Sequence, residues 1–244
     1  MKVLVVGGSS GIGLSIVLNL MKRDDCERVY VLDKNPFPDK YRTDGIVPYI
    51  CDLSKGDYSS LKQVDDIQAL YITAGFGHLK HFQDLSEEYI RNSFSVNAVA
   101  PIQIIHHFYD RILSDKEFTC AVMVSIAGRL SSPLFSVYSA TKAALSKFIE
   151  AVNVELDMQG SRNRILEVSP GSMKGTGFNG GVSCPEMTED LAEEIIRRSR
   201  RHEELFIPQY NEVFKGVLER YAGDAHKFGV DSYWYKTKRL EEQG

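Results

Sequence analysis

Residues 2–13 read KVLVVGGSSGIG: a lysine and four aliphatic residues, then glycines at 7, 8, 11 and 13. An unbroken apolar run of this length, without polar alternation, is the pattern of a strand buried on both faces. The glycines follow at once and lead into a helical pattern. A tight turn from strand to helix can bring backbone N–H groups close to a phosphate, with the positive end of the helix behind them, provided that no side chains block the approach. Glycines in a loop can also be mere turn residues. Their place directly after the first strand favours a nucleotide cradle. On that reading Gly7, Ser9, Ser10, Gly11, Ile12 and Gly13 are candidate pyrophosphate contacts.

The rest of the chain repeats the alternation that this stretch begins. Strand-like runs at 28–32, 46–50, 67–72, 118–125, 165–168 and 204–207 are separated by helical stretches at 12–23, 86–113, 137–159 and 188–201. Pro101 is expected to kink or divide the second of these helices. Strands alternating with helices predict an α/β, Rossmann-like, doubly wound and mostly parallel seven-stranded sheet with helices on both faces. No Pro/Gly/Ser-rich linker interrupts the pattern, so residues 1–244 read as a single domain in which 209–244 form a C-terminal extension rich in Tyr and Lys.

With 244 residues, 43% of them hydrophobic, the chain can bury a full core. The net charge of −4 argues against general affinity for nucleic acid. Arg197, Arg198, Arg200 and Arg201 are interleaved with Glu193, Glu194, Glu203 and Glu204, which is the pattern of a solvated helix face. The four cysteines stand far apart, with no Cys-x-x-Cys pair, so a reduced and cytoplasmic chain without a zinc site is expected. No apolar run reaches membrane-spanning length.

Chemistry enters at the carboxyl ends of the expected strands. Asp33, twenty residues beyond Gly13, can accept both hydroxyls of a ribose and would repel a 2′-phosphate, which favours NAD, with NADP possible given Lys34. Asp52, followed by Leu53, is a candidate for the adenine edge or an ordinary helix cap. Tyr138 and Lys142 lie four residues apart on the helix 137–159 and therefore share a face. A free tyrosine, with a pKa of about 10, is a poor proton shuttle at neutral pH, and a nearby ammonium stabilises its phenolate. Ser125 closes the fifth strand and can hold a substrate oxygen beside that phenol. Asn97 is polar within the apolar stretch VNAVAPIQII, either as a satisfied core amide or as the holder of a water that relays protons to the lysine.

Taken together, Asn97, Ser125, Tyr138, Lys142 and the glycine turn resemble the short-chain dehydrogenase/reductase family in its compact form, over roughly residues 1–208. The family's Thr-Gly-x-x-x-Gly-x-Gly motif falls on residues 6–13 with Val6 for the threonine, and its Asn-Asn-Ala-Gly falls on Ile72-Thr73-Ala74-Gly75, losing both asparagines. Thr73 is a candidate to take over part of their bracing role. The family's Pro-Gly is Pro170-Gly171, whose backbone is expected at the nicotinamide end, and Thr176 is the nearest match for its threonine that touches the carboxamide or phosphate. The usual C-terminal ending is absent, which makes the extension divergent.

The resemblance implies an NAD(P)-dependent oxidoreductase that interconverts a secondary alcohol and a carbonyl, with the tetrad Asn97, Ser125, Tyr138 and Lys142 at the catalytic centre. It implies cofactor contacts from Ala74, Gly75, Tyr138, Lys142, Pro170, Gly171 and Thr176. A small-molecule alcohol or carbonyl substrate and a homodimer or homotetramer are expected, without nucleic acid, membrane or metal. The rival readings are a non-catalytic NAD-binding sensor or scaffold and a sugar-nucleotide epimerase-like enzyme. His78, His81, Arg129, Leu130, Phe135, Phe178 and Tyr210 are candidates to line the substrate cleft, and Arg129 would suit an anionic substrate.

Overall fold

The computed structural model describes residues 1–64 and 66–241. Strands β1 (Lys2–Val6), β2 (Arg28–Asp33), β3 (Ile46–Ile50), β4 (Ala69–Ile72), β5 (Thr119–Met123), β6 (Ile165–Val168) and β7 (Leu205–Phe206) form one sheet. Their order is β3-β2-β1-β4-β5-β6-β7, and every neighbouring pair is parallel. The chain winds outward from β1 to β3, then returns to the other side of β1 at β4. The switch between β1 and β4 opens a crevice at the carboxyl ends of the strands, where open sheets of this kind bind ligands.

Side chains alternate across the sheet, and both faces are apolar, which is why the strands read as unbroken hydrophobic runs. On one face Leu4, Val6, Leu70, Ile72 and Val122 pack with Ile104, Ile105, Leu145 and Ile149. These come from α3 (Ala100–His107) and α5 (Ser136–Met158). On the other face Val3, Val5, Tyr71 and Ala121 pack with Leu14, Val17, Leu20, Ile195 and Ile196, from α1 (Gly11–Met21) and α6 (Glu189–Ser199). Each fully buried aliphatic side chain of this size contributes about 1.5–3 kcal/mol.

The expected helix at 86–113 is broken in an informative way. Ser86 caps α2 (Glu87–Phe94), its hydroxyl accepting from the Tyr89 N–H, and a π turn at Ser95–Val99 precedes α3. Pro101 stands in the first turn of α3, where its missing N–H leaves the preceding turn without its usual donor. The widened turn carries Asn97 inward. A second break at Phe108 separates α3 from α4 (Tyr109–Leu113).

Beyond β7 the chain forms α7 (Lys215–Gly223) and α8 (Ala225–Glu241). The latter is docked on the body, with the Tyr233 ring on that of His81 and Lys236 Nζ donating to Ser132 Oγ and the Pro133 carbonyl. Among the described residues no helix is long and apolar enough to cross a membrane. The same residues contain no cluster of three or more potential metal ligands.

Candidate active site

At the end of β1 the turn closes through backbone. Gly7 adopts φ +85, and a Cβ there would meet Ala74 N at 2.5 Å. A Cβ on Gly13 would lie 2.1 Å from the Gly7 carbonyl oxygen and 2.4 Å from Thr73 Oγ1. Thr73 Oγ1 donates toward the carbonyls of Val6 and Gly7, at 3.0 and 3.1 Å, so one hydroxyl braces the ends of β1 and β4. Ala74 N–H adds a bond to Val6 O.

The turn delivers the N-terminus of α1 into the crevice. Its N-cap, Ser10, makes no side-chain capping bond, and its first turn holds no acidic residue. Those features suit an anion, whose charge the helix end favours. Asp33 faces the same turn: Oδ2 accepts from the Ser9 N–H and Oδ1 from the Asn35 N–H, both at 3.0 Å. Its remaining lone pairs are available to hydroxyls. Thr176 stands over Gly11, its Cβ 3.5 Å from where a Gly11 Cβ would be. Ser183, which the sequence did not single out, accepts from the Gly11 N–H at 2.7 Å. The glycine turn, the helix end that its own N-cap residue leaves uncapped and the Asp33 carboxylate fit a dinucleotide.

Asp52 caps the turn Leu53–Lys55, accepting from Ser54 N–H at 3.0 Å and Ser54 Oγ at 2.7 Å. Those two bonds hold its carboxyl below the ordinary range. Both bonds go to Oδ1, so capping does not exclude an adenine contact at Oδ2, and Leu53 beside it is buried.

The candidate catalytic side is built by β5 and α5. Ser125 lies two residues beyond β5 and caps the Ile126–Gly128 turn, its Oγ accepting from the Ala127 N–H at 3.1 Å. Ser139 Oγ ties that loop to α5 through the Ala127 and Leu130 carbonyls. Lys142 is only 2% exposed. Its Nζ donates to the Met123 carbonyl at 2.8 Å and lies 5.9 Å from the centroid of the Tyr138 ring. Burial pulls the lysine down to about 7. Burial also pushes the Tyr138 phenol up to about 12, against a smaller opposing effect of its hydrogen bond with Ser125.

Asn97 is fully buried. Its Oδ1 accepts from Phe76 N–H at 2.9 Å, and Nδ2 donates to Phe76 O at 2.8 Å and Thr141 Oγ1 at 3.2 Å. It is a satisfied amide that fixes the β4–α2 loop to α5. Gly75 is what lets it approach the lysine: a Cβ there would lie 3.2 Å from Lys142 Nζ and 3.3 Å from Asn97 Oδ1. The four tetrad candidates therefore converge around Gly75 and the end of β5.

The cleft candidates divide. Phe135 and Phe178 flank the Tyr138 ring, with centroids 5.8 and 5.1 Å away. His78 is engaged with the rings of Phe76 and Tyr89, and His81 with Tyr233. Leu130 meets α5 through its carbonyl, and Tyr210 is exposed. It is Phe214 that packs on Gly171, where a Cβ would come 2.4 Å from the ring. Arg129 is corrected outright. It pairs with the buried Glu167 carboxylate at 2.7 Å, so its charge is spent inside the protein.

The short chain dehydrogenase family model matches residues 1–186. The chain belongs to the short-chain dehydrogenase family. Uncharacterized oxidoreductase TDA5 of Saccharomyces cerevisiae is 29% identical over 187 residues, covering 73% of this chain and 57% of that protein. The chain thus spans less than two thirds of that relative's length. A short-chain dehydrogenase from Streptomyces avermitilis shares the fold with a TM-score of 0.76 at 20% identity, over 98% of this chain and 99% of that one. A 4-hydroxyisoleucine dehydrogenase complexed with NADH superposes with a TM-score of 0.68 at 20% identity, over 84% and 96% of the two chains.

Proposed function

We propose that the protein is an NAD-dependent oxidoreductase that interconverts a secondary alcohol and its ketone, with Tyr138 as the acid–base group. The observation that carries this reading is the meeting of Tyr138, Ser125 and the buried Lys142, which pairs with no carboxylate among the described residues, at the mouth of β5, across Gly75 from the glycine turn. Burying a lysine among neutral groups is costly, and such perturbed groups gather where chemistry is done.

Gly7, Ser9, Ser10, Gly11, Ile12 and Gly13 would hold the pyrophosphate, Asp33 the adenosine ribose, and Asp52 and Leu53 the adenine. Ala74, Gly75, Tyr138, Lys142, Pro170 and Gly171 would hold the nicotinamide half, and Thr176, which stands over Gly11, the pyrophosphate. When bound, the dinucleotide supplies the donor or acceptor of a hydride equivalent.

Ser125 Oγ holds the substrate oxygen beside the phenol. Tyr138, which keeps its proton to about pH 12 in the protein alone, gives that proton to a carbonyl oxygen as it becomes an alcohol. In the oxidising direction the phenol must first be drawn down. The ammonium of Lys142, held by the Met123 carbonyl, stabilises the phenolate when protonated. With its pKa at about 7, that charge is itself sensitive to neutral pH. Asn97 fixes the loop that carries Gly75 and Phe76, and a water held there would link Lys142 to solvent.

Phe135 and Phe178 form an aromatic wall on Tyr138, which suits a substrate with a hydrocarbon body better than a sugar nucleotide and so disfavours the epimerase-like reading. A sensor or scaffold has no use for a buried lysine beside a phenol. A panel of apolar and sugar-like ketones and alcohols with NAD(H) tests the reading. Tyr138→Phe is expected to lower turnover about 10²–10⁴-fold while NADH binding, followed by fluorescence, is retained. Turnover in that variant at the wild-type rate would overturn the assignment.

A further inference from the structure

Glu167 puts a charge in the middle of β6, between residues that are all buried, and is itself 3% exposed. Oε1 accepts from Arg129 Nε at 3.1 Å, from Arg129 Nη2 at 2.7 Å and from Ser169 Oγ at 2.7 Å. Oε2 accepts from Ser146 Oγ at 2.9 Å. Four donors converge on one carboxylate, so the cost of burying it is offset locally.

Those donors come from three segments that meet at the reacting centre. Arg129 closes the turn capped by Ser125. Ser146 lies on α5, one helical turn beyond Lys142. Ser169 precedes Pro170, whose carbonyl accepts from Ile126 N–H at 3.0 Å and faces Ser125 Oγ at 3.5 Å. An aliphatic residue would complete the strand at lower cost. A carboxylate does something an aliphatic residue cannot, because it fixes the distances between these segments through directed bonds.

We propose that Glu167 is a positioning residue that holds Ser125 and the Pro170-Gly171 backbone in one frame against α5, so that the nicotinamide end of the dinucleotide is gripped in register with Tyr138. This rests on the dinucleotide reading above. It makes a one-ended prediction: the glycine turn and Asp33 sit on β1, β2 and α1, away from all of Glu167's hydrogen-bond partners, so the adenosine half is unaffected by its loss.

The test uses the full chain and two ligands, NADH and ADP-ribose, which lacks the nicotinamide. Fluorescence titration with NADH and competition by ADP-ribose are run on wild type, Glu167→Gln and Glu167→Ala, with thermal unfolding alongside. Glu167→Ala is expected to bind NADH at least tenfold more weakly and ADP-ribose within twofold of wild type. Glu167→Gln, which keeps a polar partner for Ser146 and Ser169, should fall between. A parallel loss of both ligands marks a merely structural role and overturns the proposal, as does an unchanged NADH affinity. Should Glu167→Ala fail to fold, Ser169→Ala removes only the arm to Pro170 and must show the same one-ended sign. Wild type that binds neither ligand overturns the dinucleotide reading itself.

Discussion

Two parts of the site are made of different material. The cradle at the ends of β1 and β4 is backbone: Gly7, Gly13 and Ala74 approach so closely that the positions allow no added carbon. The cover over Tyr138 is side chain: Phe135 and Phe178 lie against its ring, and α8 is fastened beside Phe135 through Lys236. A backbone site fixes what it binds, because changing it means moving strands. A side-chain cover can be exchanged without touching the sheet. On the proposed function, the contrast separates a fixed cofactor half from an adaptable substrate half.

The comparison breaks first at Gly13. In Gly13→Ala the new carbon meets a carbonyl oxygen at 2.1 Å and a hydroxyl at 2.4 Å, neither of them the end of a flexible side chain. Overpacking of this kind costs about 1–3 kcal/mol, and the turn it displaces is the proposed anion cradle. Thermal unfolding should show that loss, and NADH titration should show affinity down by more than about tenfold. Wild-type values for both would mean that the cradle is as pliable as the cover.

Asp33 sharpens the comparison at a smaller scale. Its two oxygens already take the Ser9 and Asn35 N–H groups, so Asp33→Ala loosens the turn and weakens NAD as well as removing the repulsion of a 2′-phosphate. The informative readout is therefore the ratio of the two affinities. It should move toward NADP by about tenfold, or about 1.4 kcal/mol, in paired titrations. An unmoved ratio would remove Asp33 from nucleotide selection.

What the sequence disclosed follows the same division. β1, β3 and β6 appear where their runs predicted, because each is marked by a short, mostly apolar run between turn residues, although β3 lies at the sheet edge and β6 carries Glu167. The glycine turn and the Tyr138–Lys142 spacing were legible for a similar reason: each is local, set within a few residues. The inward turn of Asn97 was not, since a π turn is created by hydrogen bonding around Pro101 and leaves no hydrophobic period. Arg129 pointed to a substrate only while its partner was unseen. Glu167 lies 38 residues away on a strand, and nothing local joins the two. A lone charge inside an apolar strand was the available signal. The tail read only as an extension rich in Tyr and Lys, because the docking of α8 on Ser132 and Pro133 depends on contacts across about a hundred positions.

Lys236 gives the gentlest test of the cover. Its ammonium donates to Ser132 Oγ at 2.5 Å and Pro133 O at 3.0 Å and lies 5.6 Å from the Phe135 centroid. Burial lowers it to about 8 from an ordinary 10.5. Between those values the unfolded chain binds a proton that the folded chain has released, so the stability contributed by this group rises with pH across that window and is least below pH 8. Lys236→Met removes the titrating group. The stability of wild type relative to this variant should therefore grow from pH 7 to pH 10, by less than about 1 kcal/mol because the side chain is still partly solvated. Paired melting curves at the two pH values check the sign. A difference that stays flat would place Lys236 in solvent and leave α8 undocked, and the aromatic wall on Tyr138 would then have to stand without the tail.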